Sequence, residues 1–456
     1  MNRRRWVTLN ISIGVYMSTL DASIVNISLP TIIKSLNTHL TAVAWVVMAY
    51  LIVITGCLLL VGRLSDLFGQ RKIYLLGFLT FTMGSALCGF SPTIYFLIGS
   101  RMLQGLGASA LMVNGQAILT TIYPEEERGK ALGIVASVVS AGFLTGPILG
   151  GFLVEHLGWR SIFFINLPIS VIGIYLSSKV LEKDRPTTKV QVDLWGALLL
   201  FFFVTSLLLL LNQMSKGPTP LLGVGFFSSL LWFSLFIRVE LRSPSPLVDL
   251  KLFRKRLFTS SLGASFLSFW MSAAHAFVIP FFLQNILEYS PSKVGMLIFP
   301  VALTVMVMAP IGGRFSDRVG VRIPATIGLT LTSLTVFSFT LLKPGASDVD
   351  ILWRQVVLGI GISLFNPANN SAIIGSLPRE KVGLASSFLA LSRNLGMVIG
   401  VAFAEMVIAF RLPVTPLERA RAGLSLESIQ DVWRLALMIG VAAVLISWAR
   451  GNKSNS

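Results

Sequence analysis

Stretches of about twenty apolar residues recur along the whole chain. Fourteen can be marked, at 6–33, 42–61, 73–90, 94–118, 130–154, 160–178, 193–211, 221–237, 259–285, 294–311, 323–342, 351–375, 383–410 and 431–449. One soluble core cannot absorb this many. A helix rises 1.5 Å per residue, so about twenty residues cross a hydrocarbon layer about 30 Å thick. Backbone in hydrocarbon must satisfy its own hydrogen bonds, which selects helices for apolar runs of this length. The expected class is therefore an all-α polytopic membrane protein. Only 12% of the residues are charged, about half the usual share, and this closes off the disordered and coiled-coil readings. The stretch at 221–237 is short and could lie partly in the interface. The first stretch follows Arg3-Arg4-Arg5, as a secretory signal would, but it is long and lacks a clear small-residue cleavage site. It reads as a retained helix.

The chain has 37 Lys and Arg against 20 Asp and Glu, a formal charge of +17. Such an excess can mark nucleic-acid binding. Here the charges sit in short connectors, with no basic domain, so the expectation is membrane topology and no nucleic acid. With the N-terminus inside, the connectors divide their Lys and Arg roughly threefold in favour of the inside. An even number of spans then places both termini in the cytoplasm, with the chain in a bacterial plasma (inner) membrane.

Two cysteines, Cys57 and Cys88, lie in apolar stretches and do not read as a disulfide framework. Three histidines, His39, His156 and His275, are scattered, so neither a metal site nor a cofactor is expected. No phosphate-binding loop or nucleophile constellation stands out. An enzyme is disfavoured, and so is ATP-driven transport.

The chain repeats itself. Gly62-Arg63-Leu64-Ser65-Asp66-Leu67-Phe68-Gly69-Gln70-Arg71 follows the second stretch. Gly313-Arg314-Phe315-Ser316-Asp317-Arg318-Val319-Gly320-Val321-Arg322 follows the tenth. Aligning Gly62 with Gly313 superposes Gly, Arg, Ser, Asp, Gly and Arg, and Arg101 and Arg354 then take similar places. The simplest organisation is a six-helix bundle over 1–190, an accessory helix pair with its connector over 191–258, and a second six-helix bundle with a short tail over 259–456. Repeats of this kind suit transporters whose halves rock about a central cavity.

The paired Gly62–Arg71 and Gly313–Arg322 segments resemble the signature loops of the major facilitator superfamily. Four further segments resemble its fourteen-helix drug:proton antiporter branch. These are Leu20–Pro30, with Asp21 and Asn26, Arg101–Gly107, Gly142–Gly151, and Gly158–Pro168. The resemblance covers nearly the whole chain. It implies two six-helix bundles plus two accessory helices, and proton-driven efflux of lipophilic, often cationic compounds, with the proton as coupling ion. Outward transport of lipids or glycolipids is the alternative substrate class, and a non-transporting sensor or scaffold the alternative function. The expected partners are lipophilic small molecules and membrane lipids. A monomer suffices for this activity, and an accessory efflux subunit is compatible with it.

Individual residues have physical readings beside the resemblance. Asp21 stands mid-span, where a carboxylate costs about 3 kcal/mol or more unless it is neutralised or faces a polar cavity. Proton and cationic substrate could compete for it; alternatively, it only hydrogen-bonds a neighbouring helix. Arg101 either joins that chemistry, as the resemblance implies, or locks the helices, or snorkels outward. Gln104 shares its face. Glu405 is a second proton or cation site, or it reaches the outer interface. His275 either assists proton traffic, bonds a backbone carbonyl or caps a wet cavity.

Gly62, Asp66, Gly69 and Arg71, with Gly313, Asp317 and Arg322, read as inner gates or as a positive topology lock. Asp66 is expected near the start of the third helix, where free amides and the dipole favour a carboxylate. Gly142, Gly146, Pro147, Gly150 and Gly151 combine close packing with a bend, and three of the glycines recur every four residues.

Overall fold

The computed structural model describes residues 3–182, 194–214, 220–243, 250–377, 382–411 and 424–450. Each marked apolar stretch falls on a helix, and no strand occurs among the described residues. The helices are α1 (Arg3–Ser35), α2 (Leu40–Phe68), α3 (Gln70–Gly89), α4 (Ile94–Ile122), α5 (Glu125–Leu157), the short α6 (Ser161–Phe164), α7 (Asn166–Val180), α8 (Leu194–Met214), α9 (Pro220–Arg242), α10 (Arg256–Phe281), α11 (Pro291–Val319), α12 (Arg322–Ser338), α13 (Asp348–Gly375), α14 (Val382–Arg411) and α15 (Leu426–Ala449). Polar residues mark several starts. The Thr93 hydroxyl accepts the Phe96 amide, Ser425 accepts that of Ser428, and Ser347 with Asp350 forms a reciprocal capping box ahead of α13.

Ten helical segments of the described residues are long and apolar enough to cross a membrane. α1 and α13, of 33 and 28 residues, are not among them. Both carry polar side chains into the protein interior: Asn10, Ser18, Asp21 and Ser28 on α1, and Arg354, Gln355, Ser363 and Asn369 on α13 are buried. These interior polar residues lower the mean hydropathy of both helices.

The chain divides into two compact units. One comprises Met1–Leu210 and Thr219–Val248, the other Leu211–Pro218 and Asp249–Ser456. Within the first, the main helix pairs are α1 with α5, α2 with α4, α3 with α4, and α7 with both α1 and α3. Within the second they are α10 with α14, α11 with α13, α12 with α13, and α15 with both α10 and α12. The sequence repeat is thus a repeat of packing.

Small residues set both the α1–α5 and the α10–α14 contacts. A Cβ on Gly146 would stand 2.8 Å from the Ser23 Cβ, and one on Gly150 would stand 3.1 Å from the Ile24 carbonyl oxygen. Gly396 and Gly400 face the α10 backbone at Phe266 and Trp270 in the same way. Without a hydrophobic force between helices in lipid, close approach supplies dispersion contacts. Pro147 and Gly151 are buried in the same stretch, and α5 runs unbroken through Pro147.

The aromatic run of α8 packs on neighbouring helices. Phe201 fills the notch at Gly56 of α2, while Phe202 stacks on Trp232 and Phe203 lies against Phe233 of α9.

The duplicated signature is a joint rather than a loop. α2 stays helical to Phe68, and Gly69 alone separates it from α3. α11 likewise runs to Val319 and stops at Gly320. Gly69 has φ 100° and ψ 140°, and Gly320 has φ 83° and ψ 169°. Both lie in or beside a region open essentially to glycine alone. Each glycine donates its N–H to the serine carbonyl four residues back, Ser65 or Ser316, at 2.9 Å. Asp66 therefore lies in the last turn of α2, not at the start of α3 as expected. Hydropathy falls at the membrane edge while the helix continues past it.

Candidate functional site

The first unit holds a network of charged and polar side chains with almost no solvent exposure. Asp21 comes from the middle of α1, Ser85 from α3, Arg101 and Gln104 from α4, and Asn166 from the first position of α7. Tyr50 comes from α2. The small residues along α3 and α4 bring their backbones close enough for these side chains to meet: a Cβ on Gly84 would stand 2.6 Å from the Gln104 backbone nitrogen.

Asp21 is 0% exposed and Arg101 is 1% exposed, so water does not screen their attraction. Arg101 Nη1 donates to Asp21 Oδ2 in a direct ion pair. The other carboxylate oxygen, Oδ1, accepts from Gln104 Nε2 at 2.8 Å and from Asn166 Nδ2 at 3.1 Å. Arg101 Nε donates to the Val46 carbonyl at 3.0 Å, and Nη1 also donates to Gln104 Oε1 at 2.6 Å. Its guanidinium carbon lies 4.0 Å from the centre of the Tyr50 ring, a desolvated cation–π contact. Tyr50 is fixed by a hydrogen bond from its hydroxyl to the Ser18 carbonyl at 3.1 Å. Gln104 Nε2 also donates to Ser85 Oγ at 2.7 Å. The carboxylate thus has three donors, and the guanidinium has an anion, two neutral acceptors and a ring face.

Charges inside a membrane protein persist when paired and bonded in this way. The arrangement can stabilise an ionised carboxylate. A proton on Oδ2 would remove the Arg101 pair, while Val46, Gln104 and Tyr50 would still hold the cation. Snorkelling of Arg101 is excluded by its burial.

Other residues singled out from the sequence lie elsewhere. Asn26 is one and a half turns beyond Asp21, and its Oδ1 has no hydrogen-bond partner. Glu405, on α14 of the second unit, is 0% exposed, so it does not reach the interface as one reading allowed. His275, on α10, packs against Phe339 and bonds no backbone carbonyl through Nδ1. Arg71 donates to the Ser178 carbonyl at 2.9 Å, tying the start of α3 to the end of α7. Arg322 has the matching place in the repeat and lies 4.1 Å over the Trp448 ring, near the end of α15. Gly62 faces Val113 of α4, and Gly313 faces Pro367 of α13. Asp317 is exposed, and the side chain of Asp66 lies outside the described residues.

Asn166, Ser85 and Tyr50 were not assigned from the sequence. Asn166 stands within the Gly158–Pro168 segment, which was the available signal. Ser85 and Tyr50 had none. Among the described residues, no group of three His, Cys, Asp or Glu side chains could hold a metal ion.

Comparison with known proteins gives a consistent picture. The model of the Major Facilitator Superfamily matches residues 11–401. Riboflavin transporter RibZ of Clostridioides difficile (strain 630) is 35% identical over 447 residues, covering 97% of each protein. Multidrug resistance protein Stp of Mycobacterium tuberculosis (strain ATCC 25618 / H37Rv) is 33% identical over 434 residues, 92% of this chain and 79% of its own length. Among solved structures, peptide transporter POT in complex with sulfate aligns at a TM-score of 0.71 and 15% identity, over 98% of this chain and 95% of that one. A D-xylose-proton symporter aligns at 0.66 and 14%, over 98% of each chain. At such identities the structural likeness is one of fold.

Proposed function

Because the chain belongs to the Major Facilitator Superfamily, and so is a secondary transporter of small molecules and not an enzyme, we propose that it is a proton-coupled antiporter of the fourteen-helix drug-efflux branch. It exports lipophilic, cationic compounds by alternating access. The observation that carries this reading is Asp21, a buried carboxylate within α1 whose charged form is held by Arg101, Gln104 and Asn166. Relatives named for multidrug and methyl viologen resistance support the substrate class.

In this reading the Arg101 pair and an incoming proton compete for Asp21 Oδ2. Protonation frees the carboxyl from the guanidinium. A cationic substrate restores the preference for the charged form. Gln104 and Asn166 keep the carboxyl oriented in either state. Glu405 supplies a second acidic site. The Gly69 and Gly320 joints, with Arg71 and Arg322, act as inner gates. The α8–α9 pair is an accessory insertion between two six-helix bundles. Both termini lie in the cytoplasm of a bacterium, and the chain works as a monomer in the plasma membrane.

A second reading has its own support. The 35% identity to a riboflavin transporter, over nearly the full length of both proteins, favours a neutral planar substrate. Proteoliposomes with an imposed proton gradient separate the two, using methyl viologen and riboflavin as probes. The proton site is tested by substrate-induced proton release from detergent-solubilised wild type, Asp21→Asn and Glu405→Gln between about pH 6 and 9. Release should vanish in Asp21→Asn while the protein stays folded. Undiminished release from that mutant sinks the assignment, and loss in Glu405→Gln alone moves the site to α14.

A further inference from the structure

The repeat sets α10, α12, α13 and α15 in correspondence with α1, α3, α4 and α7, the helices that carry Asp21 and most of its partners. On these helices of the second unit, His275 of α10, Gln355 of α13 and Trp433 of α15 are buried polar residues. Their exposures are 4%, 0% and 0%. The imidazole ring lies 4.6 Å from the Phe339 ring and 6.2 Å from the Trp433 ring, centre to centre. Gln355 sits beside the imidazole without reaching hydrogen-bond geometry.

Four polar atoms of these three side chains have no hydrogen-bond partner in the protein: His275 Nδ1, Gln355 Nε2, Gln355 Oε1 and Trp433 Nε1. Asp21, Arg101 and Gln104 in the first unit all have partners. Native interiors bond their buried polar groups to protein or to ordered water. One orphan atom is an exception of packing. Four, brought from three helices to one place, mark a site for a group that is not protein.

The chemistry of that group follows from what surrounds it. Phe339 and Phe282 wall the Trp433 ring. The charged residues of the same helices point elsewhere. Arg354 donates to the Ser338 and Asp350 carbonyls, and Asp431 pairs with Arg411 and Arg434. No charged side chain of these three helices is turned toward the site as a counter-ion, which favours a neutral group. The indole only donates, while the amide both donates and accepts. The group must therefore do both, as a hydroxyl does.

We propose that His275, Gln355 and Trp433 form a binding site for a neutral hydroxyl-type group, either an ordered water or a polar edge of the substrate. The inference stands apart from proton coupling at Asp21.

His39 and His156 are the only other histidines. A His39→Gln/His156→Gln protein labelled with 15N-histidine therefore reports His275 alone. If that variant does not fold, the difference between wild type and His275→Gln isolates the same resonance. The full chain in detergent is measured alone, with methyl viologen and with riboflavin. Methyl viologen has no hydrogen-bonding group, and riboflavin has several. The expected result is a hydrogen-bonded Nδ1 shift with magnetisation transfer from water. Transfer unaffected by either probe assigns the site to water. Transfer abolished by riboflavin and not by methyl viologen assigns it to substrate. A free-nitrogen shift without transfer in all three conditions overturns the proposal. So does a rise in apparent Tm of several degrees in Gln355→Leu, because only an unoccupied site gains from losing its polar groups.

Discussion

Arg101→Gln removes the cation from the Asp21 pair and leaves the carboxylate with two neutral amide donors, Gln104 at 2.8 Å and Asn166 at 3.1 Å. Breaking a buried ion pair from one side costs about 3–5 kcal/mol, because the remaining charge is uncompensated. Asp21→Asn is expected to cost less, about 1–3 kcal/mol. The stranded cation keeps the Val46 carbonyl, Gln104 Oε1 and the Tyr50 ring face. In the double mutant Asp21→Asn/Arg101→Gln neither charge remains. It should be more stable than the sum of the single losses by about 2 kcal/mol. At roughly 2–4 °C per kcal/mol for a unit of this size, Arg101→Gln should lower the apparent Tm by about 6–20 °C. Tryptophan fluorescence during heating, at one scan rate in one detergent, measures all four proteins. Strict additivity of the two single losses in the double mutant would refute the idea that the residues act as a pair.

Further outcomes follow from other parts of the molecule. Gly146→Leu should reduce folded yield on gel filtration, since even a Cβ there meets Ser23 at 2.8 Å and overpacking costs about 1–3 kcal/mol. Gly69→Ala and Gly320→Ala should lower stability by similar amounts, about 1–3 kcal/mol each, and unequal Tm losses would count against equivalent joints. The Lys293 ammonium and the Tyr289 hydroxyl hold the Asp348 carboxyl below the usual carboxylate range. A depressed carboxylate contributes stability above its unfolded pKa of about 3.9 and loses it as pH falls further. Apparent Tm should therefore decline below about pH 4 more steeply in wild type than in Asp348→Asn.

The helices were legible because hydrocarbon leaves few other backbone forms, and each apolar stretch falls on one. Their ends were not. α2 runs to Phe68 and α11 to Val319, because a helix does not stop where the apolar slab does, and at both of these joints a glycine with positive φ ends it. At the site, Arg101 and Gln104 were readable as an i, i+3 face, and Asp21 by the expense of its position. Asn166 had its segment, Gly158–Pro168, as a signal but nothing that tied it to Asp21: it lies 145 residues from Asp21 in sequence, and only closure of α7 onto α1 brings them together. Tyr50 looked like any apolar-span aromatic, since no pattern in α2 tells that its ring faces a guanidinium. The interior of the second unit was illegible for the opposite reason. His275, Gln355 and Trp433 come from three separate helices, so no spacing links them.

The Asp21–Arg101 pair carries no net charge. A proton on Asp21 would leave the guanidinium as one uncompensated elementary charge in the first unit. The membrane voltage acts on such a charge with about 2.3 kcal/mol per 100 mV for a full crossing, and with less for a partial one. The proton-loaded carrier would then sense the electrical as well as the chemical part of the gradient, while the empty carrier with its pair intact would be electrically silent. An inside-negative voltage would draw the proton-loaded form inward, and a cationic cargo would carry its own charge outward against that voltage on the return of the paired form.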